Sequence, residues 1–314
     1  MGKRLALVAI IGPTAVGKTE LAIQLAERLG AELVSADSRL LYRGMDIGTA
    51  KPSPQDLARI PHHLIDVANP EETWSLAVFQ RAAAEAISQI HSRGRLPILV
   101  GGTGQYLRAI LDGWAPPRLA PQPQLRASLA AWAEELGGKQ LHRRLAVVDP
   151  TAAQDIDARN VRRTLRALEV TLASGRRFSE QRGRAKPPYR VLQLGLSRPR
   201  LELYARIDTR IQAMLDAGWL DEVKTLLAKG YAPSLPSLSA IGYAQMISHL
   251  REEIALEEAI TEIRRKTRIF VRRQAAWFKP NDPRIHWLEA ADPQVVDKAE
   301  AMIKGFIAEN KEYI

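Results

Sequence analysis

Apolar residues run almost unbroken from Leu5 to Ile11 and stop at Gly12 and Pro13, the pattern of a buried strand ended by a turn. From Thr19 to Leu29 the spacing changes to that of a helix, with Leu21, Leu25 and Leu29 on one face and Gly30 as the stop. Leu33 to Ala36 predicts a second short strand ending at Asp37, and Leu96 to Val100 a third, followed by Gly101, Gly102, Thr103 and Gly104. Between them lie a Pro- and Gly-rich loop, Arg43 to Pro61, and a helix from Leu76 to Arg93 that ends at Gly94. Strands alternating with helices imply a parallel sheet whose ligands bind beyond the carboxyl ends of the strands. That rule puts the Gly12 loop, Asp37 and Thr103 on one rim.

Farther along, four prolines between Ala115 and Pro123 mark a change of architecture. Leu125 to Gly175 is helical in pattern, and a basic, Pro-containing stretch leads on to Pro188. Strand character returns at Val191 to Leu196, and helices are expected over Leu201–Lys229 and Leu256–Lys279. The expected organisation is an α/β core from residues 1–114 and 189–314, interrupted by an all-helical insertion over 115–188. No internal repeat or low-complexity tract is visible.

Composition narrows the class. The 314 residues are 46% hydrophobic and 25% charged, globular proportions that argue against wholesale disorder. With no cysteine, disulfides, thiolate metal sites and cysteine nucleophiles are excluded. No stretch approaches the roughly 20 apolar residues that span a bilayer. The basic, apolar start leads into a glycine motif and not a cleavage site, so a cytoplasmic protein, working as a monomer, is expected. The net charge of +10 favours polyanionic partners. Arginines recur from Arg159 to Arg210 and again at Arg264, Arg265, Lys266, Arg268, Arg272 and Arg273. Solvated helix faces would give the same count, so charge leaves the partner open.

Gly12-Pro13-Thr14-Ala15-Val16-Gly17-Lys18-Thr19 fits the phosphate-binding G-x-x-x-x-G-K-[ST] pattern, between a strand and a helix where it belongs. It makes the expected fold a P-loop NTPase-like parallel sheet flanked by helices. Backbone N–H groups curl round a phosphate, Lys18 adds a charge, and the Thr19 hydroxyl is placed for Mg²⁺. The motif does not say whether the ligand is a nucleotide or another diphosphate. Asp37 at its strand end suits a general base facing the phosphates, or equally a turn cap. Thr103, after two glycines on the same rim, suits close approach to a ligand. The strand Leu96–Val100 does not end in the metal-holding acid of a nucleotide hydrolase, and Asp66 is the other candidate for that role. His62 and His63 are adjacent, point in different directions and read as structural or loop residues rather than metal ligands. In the last long helix, Ile260, Ile263, Phe270 and Trp277 form an apolar stripe with arginines on the other faces.

Together these segments resemble the tRNA dimethylallyltransferases over nearly the whole chain. The resemblance is carried by the Gly12–Thr19 loop, Ala36-Asp37-Ser38-Arg39-Leu40 running on to Pro52, His62-His63-Leu64-Ile65-Asp66, and Gly101–Gly104. Arg166-Ala167-Leu168-Glu169-Val170, Ala240-Ile241-Gly242-Tyr243 and Thr267 to Gln274 complete it. It implies that the P-loop holds dimethylallyl diphosphate with Mg²⁺ and that the acceptor is N6 of the adenosine beside the anticodon, with Asp37 as the base and Thr103 beside it. It also places Asp37, Ser38, Arg39, Leu40, Thr103, Arg126, Arg162, Arg163, Thr164, Leu165 and Arg166 against the tRNA anticodon stem-loop. Arg268, Ile269, Phe270, Val271, Arg272 and Arg273 join them, with Gln274 as a weaker addition. Gln105 stands where an apolar residue is common in the family, and Ser239 where some members carry arginine, so the diphosphate clamp is expected on residues 268–273. The rival readings are a P-loop kinase of a small molecule or nucleoside and a non-catalytic RNA-binding module.

Overall fold

The computed structural model describes residues 4–117 and 119–309. The chain folds into two compact units, one of residues up to Leu111 and from Pro187 onward, the other Asp112–Lys186. The first half of the larger unit runs β1 (Leu5–Ile11), α1 (Lys18–Leu29), β2 (Glu32–Ser35), α2 (Pro54–Arg59), β3 (His62–His63), α3 (Leu76–Ser92), β4 (Pro97–Gly101) and α4 (Gly104–Leu111). The smaller unit comprises β5 (Trp114–Ala115), α5 (Pro123–Leu136), α6 (Gly138–Val148), α7 (Pro150–Asp155), α8 (Val161–Ser174), α9 (Phe178–Gln181) and β6 (Gly183–Arg184). The larger unit resumes with β7 (Tyr189–Ser197), α10 (Arg200–Asp216), α11 (Trp219–Ala228), α12 (Tyr243–Leu250), α13 (Leu256–Ala275), β8 (Ile285–Glu289) and α14 (Val295–Ala308).

The large sheet is wholly parallel, ordered β3-β2-β4-β1-β7-β8. Its central strands are buried on both faces, and β1 is entirely buried from Leu7 to Ile11, as expected for strands with helices on either side. Because β1 lies between β4 and β7, the loops after β1, β2 and β4 share the carboxyl rim. The glycines after β4 are required there: a Cβ on Gly101 would stand 2.4 Å from the Ala36 carbonyl oxygen, and one on Gly104 2.1 Å from the Trp277 ring.

Several expectations change. The loop expected over Arg43–Pro61 contains α2, started by a capping box in which Ser53 and Asp56 satisfy each other's backbone N–H groups. Gly218, at φ 92°, splits the single helix expected over Leu201–Lys229 into α10 and α11. The insertion is not wholly helical, since β5 and β6 pair as an antiparallel ribbon. It has its own apolar core, in which Leu129, Leu141, Leu145, Ala167 and Leu168 are buried.

Candidate functional site

A cavity of about 310 Å³ lies on the carboxyl rim of the larger unit. One wall is the P-loop with Thr14, Lys18 and Thr19, another is Asp37 and Leu40, a third is the segment Thr49–Ser53, and α10 contributes Arg206 and Arg210. The P-loop owes its curl to Gly12 (φ 151°), Ala15 (φ 63°) and Gly17 (φ 112°), and Gly17 is the N-cap of α1. The N-terminus of α1, with no side-chain cap, can therefore present its N–H groups to an anion in the cavity.

Cations converge on this loop from two elements. The Lys18 ammonium donates to the Pro13 carbonyl (2.7 Å). Its pKa is pushed down to about 8 by burial first, with Arg210 adding to the depression and Asp37 opposing it. Arg206 Nε donates to the Ala15 carbonyl (2.8 Å). Arg210 has no ion-pair partner among the described residues, and burial, then neighbouring Arg206, holds its pKa below the ordinary arginine value. Three cations without a paired anion form a site that gains from binding a diphosphate.

Across the cavity, Asp37 Oδ1 accepts the Arg39 N–H (2.9 Å), which fixes the carboxylate in a turn. Its other oxygen has no partner among the described residues and can take a proton. Thr103 supports this turn: its hydroxyl accepts from the Ser38 N–H (3.1 Å) and its own N–H donates to the Ala36 carbonyl (3.3 Å). Asp37 thus caps the turn through one oxygen, and the other oxygen is not engaged by any described residue. Asp66 is not free for a metal, because it pairs with Lys51. His63 is engaged by buried Glu32 (2.7 Å), and His62 Nδ1 lies 2.9 Å from the Ile60 carbonyl. No group of three His, Asp or Glu side chains that could hold a metal occurs among the described residues. Thr19 is exposed at the cavity and its hydroxyl has no protein partner among the described residues. Such a set fits Mg²⁺, which keeps waters and takes much of its coordination from a diphosphate.

The family profile described as "IPP transferase" matches residues 40–281, and that described as "Isopentenyl transferase" matches residues 5–69. A tRNA dimethylallyltransferase of Roseiflexus sp. is 50% identical over 301 residues, covering 96% of this chain and 98% of the relative. The chain belongs to the tRNA dimethylallyltransferase family. Another member, from Chloroflexus aurantiacus, is 54% identical over 273 residues, covering 87% of this chain and 92% of the relative. A solved tRNA isopentenylpyrophosphate transferase from Bacillus halodurans is 40% identical, with a TM-score of 0.70 over 98% of this chain and 97% of that one. A solved eukaryotic dimethylallyltransferase, described as acting on tRNA, is 27% identical, with a TM-score of 0.80 over 97% and 80% of the two chains.

The residues that resemblance to the tRNA dimethylallyltransferases expects against RNA differ in exposure and pairing. On α13, Arg272 and Arg273 are exposed and have no protein partner among the described residues. Phe270 is exposed, while Val271 is a core residue and Ile269 is partly buried. Arg268 is paired with Asp208 (2.6 Å) and lies over the Tyr204 ring. Arg39 donates to the carbonyls of Pro236 (2.8 Å) and Ser237 (3.1 Å). In the insertion, Arg162 and Arg163 are exposed on α8, but Thr164 is fully buried with its hydroxyl on the Asn160 carbonyl (3.1 Å), and Leu165 packs on the core. Thr164 and Val271 have buried side chains that pack in the protein, because any contiguous helical run includes inward positions. Gln274 is likewise internal, with Oε1 accepting from the Thr14 N–H (2.8 Å) and Nε2 donating to the Gly102 carbonyl (3.0 Å).

Arg126 and Arg166 both donate to Glu169, at 2.7 and 2.9 Å, and Glu169 also accepts the Gln122 N–H (2.8 Å). Burial raises the Glu169 pKa, and these hydrogen bonds outweigh it to hold the group below its usual value. Sequence reasoning missed Arg206 and Arg210 and placed the diphosphate clamp on α13. Their spacing of four on one helix was visible. Only the pairing of β7 with β1 brings that helix to the P-loop.

Proposed function

We propose that this protein transfers a dimethylallyl group from dimethylallyl diphosphate to N6 of adenosine-37 in tRNAs reading codons that begin with U, as a monomeric cytoplasmic enzyme. The carrying observation is one cavity with three cations about a P-loop and a carboxylate oxygen free to accept a proton. The N6 lone pair attacks the allylic carbon as the carbon–oxygen bond breaks. The pyrophosphate leaves with the bonding pair, and the N6 proton passes to Asp37. Lys18, Arg206, Arg210 and the P-loop N–H groups stabilise the charge that builds on the leaving group. Mg²⁺, held by Thr19 and the diphosphate, would neutralise part of that charge when bound. Thr103 fixes the turn that aims Asp37, and Arg162, Arg163, Arg272 and Arg273 are free to grip RNA phosphates. The acceptor adenine must leave its stack to reach such a rim. The kinase alternative finds no support among the relatives.

The test is Asp37→Asn, which keeps shape but removes the base. Turnover is expected to fall by about 10²–10⁴-fold, with tRNA affinity retained to within about twofold, measured by label transfer and filter binding. Near-full turnover in this variant would remove Asp37 from the mechanism.

A further inference from the structure

The cavity wall formed by Thr49–Ser53 has no regular secondary structure up to α2. It follows three residues whose backbone N–H groups converge on one side chain. Asp46 and Ile47 each donate to Glu222 Oε2 at 2.7 Å, and Gly48 donates to Glu222 Oε1 at 3.2 Å. The Tyr243 hydroxyl donates to Oε1 as well, at 2.6 Å. Three successive amides on a carboxylate form an anion nest whose anion belongs to the protein itself. The fit is close: a Cβ on Gly48 would stand 2.0 Å from the Trp219 indole nitrogen and 2.7 Å from the Tyr243 ring.

Past the nest the chain turns through Ala50 at φ 55°, a conformation a non-glycine residue holds only when its surroundings impose it. Lys51 then folds inward, its side chain 4% exposed, on the Tyr42 carbonyl and the carboxylates of Asp46 and Asp66. Glu222 therefore anchors the chain just before Ala50 and Lys51 anchors it just after, and Thr49, Ala50, Lys51 and Pro52 all line the cavity.

We infer that Glu222, with Tyr243, is a positioning residue for the prenyl donor: from α11 it fixes the wall against which the donor is held, without touching the donor. The inference rests on reading this cavity as the donor site. A looser wall costs donor binding, because the open-loop ensemble must be reordered each time the ligand enters.

The experiment is steady-state kinetics with dimethylallyl diphosphate and unmodified tRNA, each varied at saturating partner. Glu222→Gln offers one acceptor oxygen where the carboxylate offers two. It is expected to raise the donor KM about tenfold while changing the tRNA KM less than about twofold and kcat less than about threefold. Tyr243→Phe should move the donor KM the same way by a smaller factor, and exposed Lys224→Ala on the same helix should match the parent. Hydrogen exchange should speed up at the amides of residues 46–48 in Glu222→Gln. An unaltered donor KM in both variants, or KM values for both substrates and kcat all changing in step with lost thermal stability, overturns the inference. If Glu222→Gln does not fold, Tyr243→Phe decides in the same terms. Failure of the parent protein to transfer the prenyl group would overturn the donor reading and this inference with it, whereas transfer by the parent with no donor effect in the variants overturns this inference alone.

Discussion

Lys18 shows what a phosphate site requires of one residue. An ammonium enclosed by protein has its pKa lowered to about 8, so the ligand-free fold carries a cation it would rather lose. The folded-state value lies below the ordinary 10.5 of lysine. The stability deficit is therefore fully present below pH 8 and relieved as pH rises from 8 toward 10.5. Because the group keeps some exposed surface, the relief is discounted to about 1–2 kcal/mol. It is to be measured as the difference between the parent and Lys18→Met, whose curve lacks this titration. A parallel pair of stability curves over that window would show that Lys18 is not destabilised by burial. A diphosphate bound at the loop should abolish the difference by supplying the missing anion. At this scale the sequence was partly legible. The P-loop motif named Lys18 and the end of the second strand named Asp37, whereas the helical spacing of Arg206 and Arg210 gave no sign of what they face, which depends on the pairing of β7 with β1.

Elements were legible where one pattern governs them. The strands β1, β2, β4 and β7 and the helices α1 and α3 follow apolar runs or helical spacing, and each appears within a few residues of its expected ends. Besides the short strands β3, β5 and β6 and helix α12, the elements missed include two kinds. Helices α2 and α4 sit next to Pro- and Gly-rich loops, whose composition masked a capping box in one and a glycine start in the other. Strand β8 and helix α14 were overlooked although Val295, Val296, Ala299, Met302, Ile303, Phe306 and Ile307 keep helical spacing, and they are held by pairing with β7 and packing on the core. The insertion carries a prediction of its own. Glu169 is buried under two arginines and a backbone N–H, so Glu169→Ala leaves all three without their shared acceptor. The arginines can turn toward water, which limits the loss to about 1–3 kcal/mol. Thermal unfolding of the variant should show it, and an unchanged midpoint would mean that the cluster does not stabilise α5 against α8.

For the molecule as a whole, an excess of ten positive charges in the sequence first suggested a polyanion without saying which. The structure divides that excess by use. Arg206, Arg210 and Lys18 line the P-loop cavity; Arg268, Arg126 and Arg166 are paired within the protein; and Arg162, Arg163, Arg272 and Arg273 are exposed without an ion-pair partner among the described residues. The same P-loop fold would serve a kinase, so the central claim is that its diphosphate is a leaving group and not a phosphoryl donor. The most direct measurement offers the protein dimethylallyl diphosphate labelled in the prenyl group and ATP labelled in the γ-phosphate together, with Mg²⁺ and unmodified tRNA. Prenyl label in the RNA, matched one-to-one by released pyrophosphate and with no phosphate label in any acceptor, is the predicted result. Phosphate label in an acceptor without prenyl label in RNA would contradict it.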